Sequence, residues 1–407
     1  MLILITFPIQ AENNSPEAYN KESLIFNKIK KGVKYLMDKR IAAMSLEEKV
    51  GQLFQIGFAA PAVSDQVRDM IENYHVGGVI YFSRNLENPA QTAELSNKLQ
   101  QLALNSGAEI PLFISSDQEG GTVTRLKGAT HFPGNMAMGA ANDPKLTKKT
   151  AEFTAAELKN LGINVNLAPV LDINNNPANP VINSRAYGED RMKVFTKSYH
   201  FSKGMQDNNV MAVAKHFPGH GDTETDSHKA LPSIMHELSR LDSIELFPFR
   251  KLINAGIGGV MIAHLYVPAL DSESKKPSTL SKKIVTGMLK KQMGFEGLIF
   301  TDALNMKAIS NNYDTGETEL MAFQAGNDIL LFPQDVPKAV KKIKAAIDSG
   351  QISMKYLNKR VEKILAAKKW MGLFESDTLK NENINKELNS PAAKLVRRQI
   401  IEKAITL

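Results

Sequence analysis

Eight short apolar runs recur along the chain, at Leu53–Phe58, Gly77–Phe82, Pro111–Ser116, Asn164–Val170, Val210–His216, Gly258–Leu265, Gly297–Thr301 and Asp328–Phe332. Each is too short for a helix, and its apolar content suits a strand buried on both faces. Between the runs lie amphipathic segments long enough for helices, among them Ala90–Leu104, Lys145–Leu161, Met192–Gln206, Leu238–Asn254 and Ser281–Met293. Gly162, Gly256, Gly294 and Gly326 stand just before the next strand, where helix C-caps belong. Ser45, with Glu48 three residues on, marks a helix start. Strands alternating with helices predict a parallel sheet, and eight units over roughly 300 residues predict a (β/α)8 barrel of the TIM type. An N-terminal lead-in helix within residues 15–45 and a C-terminal helical extension complete the expected α/β architecture. The rival is an open doubly wound sheet. Its nucleotide-binding version is weakened because neither a G-x-G-x-x-G fingerprint nor a P-loop is present.

The 407 residues, 43% hydrophobic and 23% charged, are ordinary for a globular protein. The net charge of +7 is spread over helical faces such as Lys338 to Lys344 and Lys359 to Lys369, with no aromatic-interleaved basic cluster. Nucleic acid is therefore not an expected partner. There are no cysteines, which excludes disulfides and thiol chemistry. No run reaches the ~18 apolar residues of a membrane span. Leu2 to Ala11, followed by polar Glu12-Asn13-Asn14, has the apolar core and cleavage end of a secretion signal but lacks a basic start. The expected organisation is thus a signal or tail over 1–14, a catalytic barrel over 15–375, and over 376–407 a linker and the start of a second domain. Export to the periplasm or medium is favoured over the cytoplasm. The oligomeric state is not encoded in any pattern we recognise.

A barrel places reactive groups at the C-terminal ends of its strands. Polar residues stand there: Asp117 and Glu119 past the third run, Asp172 past the fourth, Lys215 and His216 at the fifth, His264 at the sixth, Asp302 at the seventh. The densest stretch is Ala214 to His228, with three histidines, one lysine and three acids. Pro218, Gly219 and Gly221 break regular structure, so these groups sit on a loop. Three readings compete for it: a plain polar loop; a metal site from His216, His220, His228 and Asp226, without a helical H-x-x-x-H frame; and acid/base chemistry, with Asp226 accepting from one nitrogen of His228 while the other moves a proton.

Asp302 is either the N-cap of the next helix or a carboxylate aimed into a pocket, as nucleophile or electrostatic stabiliser. Gly120-Gly121 allows a sharp turn beside Asp117 and Glu119. Arg125, and Arg185 in the loop Asn183–Asp190, are either surface ion pairs or, with Lys215 and Asp117, a clamp of donors and acceptors suited to a multiply hydroxylated sugar. Glycosidic cleavage usually needs two carboxylates. On the residues alone the second remains open among Asp226, Glu224 and Glu119.

Asp117-Gln118-Glu119-Gly120-Gly121, the Asn183–Asp190 loop, the stretch Lys215–His228 and Thr301-Asp302-Ala303 together resemble the N-terminal catalytic domain of glycoside hydrolase family 3, in its β-N-acetylglucosaminidase branch. The resemblance runs from Met44 to Leu373. It implies that Asp302 is a nucleophile forming a covalent glycosyl-enzyme, that His228 is the acid/base, and that Asp226 is its partner. It further implies that Asp117, Arg125, Arg185, Lys215 and His216 hold a terminal N-acetylglucosamine. His220 becomes structural, the metal reading recedes, and no cofactor is needed. The implied reaction is retaining removal of terminal N-acetylglucosamine from small oligosaccharides or muropeptides. A phosphorylase, a catalytically silent glycan-binding protein and a metallohydrolase are the alternatives. Pro391 to Leu407 resembles the helix and first strand leading into the family's second domain.

Overall fold

The computed structural model describes residues 39–224, 231–273, 275–375, 379 and 384–405. The postulated signal over 1–14 and most of the lead-in helix therefore lie outside the described residues. Residues 39–43 are helical, and Ser45 caps the helix Leu46–Gly51. Its Oγ accepts from Glu48 N at 3.1 Å, while Ser45 N donates to the Glu48 carboxylate at 2.6 Å, so two otherwise orphaned donors are satisfied reciprocally.

All eight expected strands form: β1 (Phe54–Gly57), β2 (Gly78–Tyr81), β3 (Phe113–Ser116), β4 (Val165–Asn166), β5 (Met211–Phe217), β6 (Gly259–Ile262), β7 (Leu298–Thr301) and β8 (Leu330–Leu331). Every neighbouring pair is parallel, in the order β7-β6-β5-β4-β3-β2-β1-β8. A parallel bridge between Phe300 and Ile329, with Thr301 N donating to Ile329 O at 3.0 Å, joins β7 to β8. The sheet thus closes into a barrel, which leaves no exposed sheet edge. Strand residues are buried on both faces, which is why each reads as an unbroken apolar run.

The flanking helices Pro89–Leu104, Pro144–Asn160 and Arg191–Gln206 form where the periodicity places them. The segment expected as one helix over Leu238–Asn254 is two, Leu238–Ser243 and Leu246–Asn254. Pro248 lacks the N–H that would bond Ile244 O, so the helix restarts there. Ser281–Met293 is wound as a π-helix over Lys283–Gln292. It is tied to the turn before β8 by Thr286 Oγ1 donating to Ala325 O at 2.6 Å and by Lys290 donating to Gly326 O.

The C-terminal helix Pro391–Ala404 packs on Asn135–Ala140 and Pro144–Asn160. Its face Ala393, Val396 and Ile400 joins Phe132, Met138, Leu146, Ile173, Tyr187 and Val194 in a second apolar cluster. The strand expected near the C-terminus is corrected in part: Ile401–Ala404 continue this helix, because Ser390 caps it and its apolar spacing is helical. Thr406 and Leu407 lie outside the described residues.

Candidate active site

Lys215 and His216 are consecutive residues at the C-terminal end of β5, and both are buried. Lys215 Nζ lies 2.7 Å from Asp117 Oδ1 and 2.7 Å from Glu119 Oε1. Arg185 grips Glu119 with a fork, Nε to Oε2 at 2.9 Å and Nη2 to Oε1 at 2.7 Å. Two cations thus meet two carboxylates. Burial alone would raise the Glu119 carboxyl, but Lys215 and Arg185 override it and hold it far below the usual range. Burial alone would lower Lys215, and Asp117 with Glu119 raise it instead. Glu119, open as a second carboxylate on sequence, is therefore a fixed counter-charge and a poor proton donor. Glu224, the other such residue described, is exposed.

The strand-to-loop turn after β3 is possible because Gly121 sits at φ +57°, where a Cβ would meet the Gly134 Cα at 2.7 Å. Gln118 then folds the loop back, its Oε1 accepting from Arg125 N at 2.9 Å and Leu126 N at 3.3 Å. Arg125 is half-buried, and its Nε is buried without a hydrogen-bond partner.

The strand-end residue Asp172 had no role assigned on sequence, yet it organises the next part of the site. It is 1% exposed, and its Oδ2 lies 2.6 Å from His216 Nδ1, while Oδ1 accepts from His220 N at 2.6 Å and His216 N at 3.3 Å. Burial would raise it, but His216 and His220 bring it below the usual range. His220 has the structural part expected of it. Its Nδ1 lies 2.8 Å from Thr223 Oγ1, and burial, reinforced by His216, pushes its pKa down to about 4. Asn179 Nδ2 donates to His220 O at 2.8 Å and Gly221 O at 3.0 Å, pinning the start of the loop.

Asp302 follows β7, and its backbone N donates to Ile262 O at 2.9 Å. The N-cap alternative fails, because the following helix Lys307–Ser310 is capped by Met306. The Asp302 carboxylate instead accepts from Ala303 N at 2.8 Å. Burial would raise it, yet His264, His216, the Ala303 N–H and Lys215 together set it below the usual carboxylate range, so it is ionised at neutral pH. His264, fully buried at the end of β6, was named on sequence only for its position. It lies with Nδ1 2.7 Å from Thr279 Oγ1 and Nε2 3.0 Å from Ala303 O, so it braces the residue after Asp302.

Asp226 and His228 lie outside the described residues. On the near side of that segment, Asp222 Oδ2 lies 2.6 Å from His236 Nε2 and 3.9 Å from Arg240 Nη2. Among the described residues no group of three or more His, Asp or Glu forms a metal-ligand set. The geometry therefore gathers Asp117, Lys215, His216, Arg185 and Asp302 at one end of the barrel. An ionised carboxylate there lies within electrostatic reach of the buried Lys215, beside a polar clamp that contains both donors and acceptors. Such a site can attack an electrophilic carbon of a hydroxylated ligand.

Residues 45–367 match the model of the glycosyl hydrolase family 3 N-terminal domain. A beta-hexosaminidase A from Pseudoalteromonas piscicida is 39% identical over 290 residues, which is 68% of this chain and 48% of that protein. A beta-N-acetylglucosaminidase/beta-glucosidase from Cellulomonas fimi is 28% identical over 90% of this chain and 65% of its own length. The chain thus spans between about half and two thirds of these two relatives. A solved family 3 beta-N-acetylglucosaminidase from Paenibacillus superposes with a TM-score of 0.84 at 44% identity, covering 89% of this chain and 69% of that one. On the family match and on this agreement of sequence and barrel, the chain belongs to glycoside hydrolase family 3.

Proposed function

We propose that the protein is a retaining exo-β-N-acetylglucosaminidase that removes terminal N-acetylglucosamine from peptidoglycan fragments or related small glycosides. The observation that carries this reading is the ionised Asp302 carboxylate at the end of β7, within electrostatic reach of His216 and Lys215. The similarity to proteins described as beta-hexosaminidase and beta-N-acetylglucosaminidase supports the choice of sugar.

In this reading Asp117, Arg125, Arg185, Lys215 and His216 hold the terminal sugar. Asp302 attacks the anomeric carbon while His228, assisted by Asp226, protonates the departing oxygen. His228 then deprotonates a water that releases the sugar from Asp302, and two displacements at one carbon retain its configuration. Holding Asp302 below the usual carboxylate range keeps it a nucleophile rather than a proton donor.

Asp302→Ala and His228→Ala should each lower turnover of an aryl N-acetylglucosaminide by roughly three or more orders of magnitude. Wild-type rates in either variant would end the assignment. A slow-releasing fluorinated N-acetylglucosaminyl fluoride should leave a sugar adduct that peptide mass spectrometry maps to Asp302. Running the reaction with and without phosphate separates hydrolysis from phosphorolysis, which would yield a sugar phosphate. Export, read from Leu2 to Ala11, belongs to the same proposal and is tested by cell fractionation.

A further inference from the structure

Asp172 is a fully buried carboxylate at this rim whose hydrogen bonds go to two histidines. An ionised carboxylate only accepts hydrogen bonds, so the ring nitrogen 2.6 Å from Asp172 Oδ2 must carry its proton. That nitrogen is His216 Nδ1. On the other side of the ring, His216 Nε2 has Arg185 Nη2 at 3.5 Å, and an arginine offers only donors. Both neighbours therefore select one neutral tautomer, with the proton on Nδ1 and a lone pair on Nε2.

The consequence is a gap filled in the clamp. Lys215 and Arg185 supply donors to this pocket and between them engage both oxygens of Glu119, so an acceptor on His216 adds to the one that Asp117 offers. A sugar hydroxyl both gives and takes a hydrogen bond. We infer that Asp172 is a positioning residue: it fixes His216 in the Nδ1–H tautomer, so that Nε2 accepts a hydrogen bond from a hydroxyl of the bound sugar. The sugar half of this inference rests on the function proposed above, whereas the tautomer half does not. The same carboxylate ties His216 to His220 N, which holds the ring and the root of the 219–224 loop in one frame.

Asp172→Asn tests it. The amide oxygen can still serve the two backbone N–H groups, which turns the NH2 toward His216 Nδ1. The ring must then accept there and carry its proton on Nε2, facing Arg185 as a second donor. Nitrogen NMR of isotope-labelled histidine, with the His216 signals identified by their loss in His216→Gln, should show Nδ1–H in the wild type and Nε2–H in Asp172→Asn. The kcat/KM for an aryl N-acetylglucosaminide should fall about 10- to 100-fold, mostly through KM. Among substrate analogues each lacking one hydroxyl, one should bind the wild type weakly yet cost Asp172→Asn nothing further.

A wild-type spectrum with Nε2–H or a charged ring at neutral pH overturns the inference, and it needs no variant to fold. Retention of Nδ1–H in a folded Asp172→Asn overturns it as well. A uniform loss across every deoxygenated analogue in both proteins overturns the sugar half. If the wild type turns over no N-acetylglucosaminide, the substrate reading fails with the sugar half, and the spectrum still decides the tautomer.

Discussion

At the N-terminal floor of the barrel, the fully buried Asp328 is ringed by Lys363 Nζ at 2.5 Å, Arg360 Nε at 3.1 Å and Lys290 Nζ at 3.5 Å. It also accepts from Ile299 N at 2.9 Å, which ties it to β7. At the opposite rim, Asp117 and Glu119 meet Lys215 and Arg185. Both regions bury ion pairs, yet they direct them differently. On the floor Lys290, Arg360 and Lys363 turn inward on one aspartate, Arg360 stacks 4.1 Å over Tyr356, and Lys368 is spent on Gln52 Oε1 at 2.7 Å. At the rim a polar atom is left over, the buried Arg125 Nε, and the second nitrogen of His216 has only a long contact to Arg185 at 3.5 Å. The contrast teaches that buried charge alone does not mark a site. What marks it is a direction in which the charge is not yet answered.

Substitutions on the two sides should therefore separate stability from activity. The largest stability loss is expected from Asp328→Ala, about 3–5 kcal/mol by urea denaturation, because three cations lose the carboxylate they share, while kcat per folded molecule stays unchanged. Burial would raise Asp328, but Lys290, Lys363 and Arg360 hold it at about 2, so its contribution is complete above the ordinary carboxylate pKa of ~3.9 and fades as the pH falls toward 2. In Asp328→Ala that acid-side loss should disappear. A matching fall in kcat would erase the division between floor and rim.

Glu119→Gln comes next. It leaves Lys215 and Arg185 short of one negative charge, and it should raise KM about 10- to 100-fold and cost roughly 2 kcal/mol. An unchanged KM would mean that the rim pairs are as inward-looking as those below. The smallest effect belongs to Lys290→Met. Burial, partly opposed by Asp328, lowers Lys290 from 10.5 to about 7. Between those values the unfolded chain holds a proton that the native state does not, so stability rises with pH across that window. Lys290→Met should flatten that rise and change stability at neutral pH by under ~1 kcal/mol. A stability curve identical to the wild type over that range would remove Lys290 from the floor's account.

The barrel was legible because its strands are buried on both faces, which leaves runs such as Val210–His216 without polar interruption. Asp302, Lys215 and His216 could be placed at strand ends because a strand's last residues announce themselves by the change from apolar to polar. The family resemblance added roles that spacing cannot. Asp172 and His264 escaped assignment for a physical reason. Their work is done through His216 and Ala303, and a one-dimensional pattern carries no sign of which side chain a neighbour will hold. Glu119 stayed ambiguous because its protonation is set by Lys215, on another strand, and by Arg185, 66 residues away. The split near Ile244 was readable from Pro248, whereas the π-winding of Lys283–Gln292 follows from no spacing rule, since its apolar period also fits an α-helix.

The helix Pro391–Ala404 lies beyond the last residue of the family match, 367. Yet Ala393, Val396 and Ile400 roof the cluster containing Tyr187, two positions from the arginine that grips Glu119. Shearing the polypeptide at the consensus boundary would strip that roof, wet Phe132, Leu146 and Val194, and slacken the anchorage of the rim's ion-pair clamp. For anyone trimming this chain, the autonomous unit is drawn by what covers the barrel's flank rather than by where the shared pattern stops.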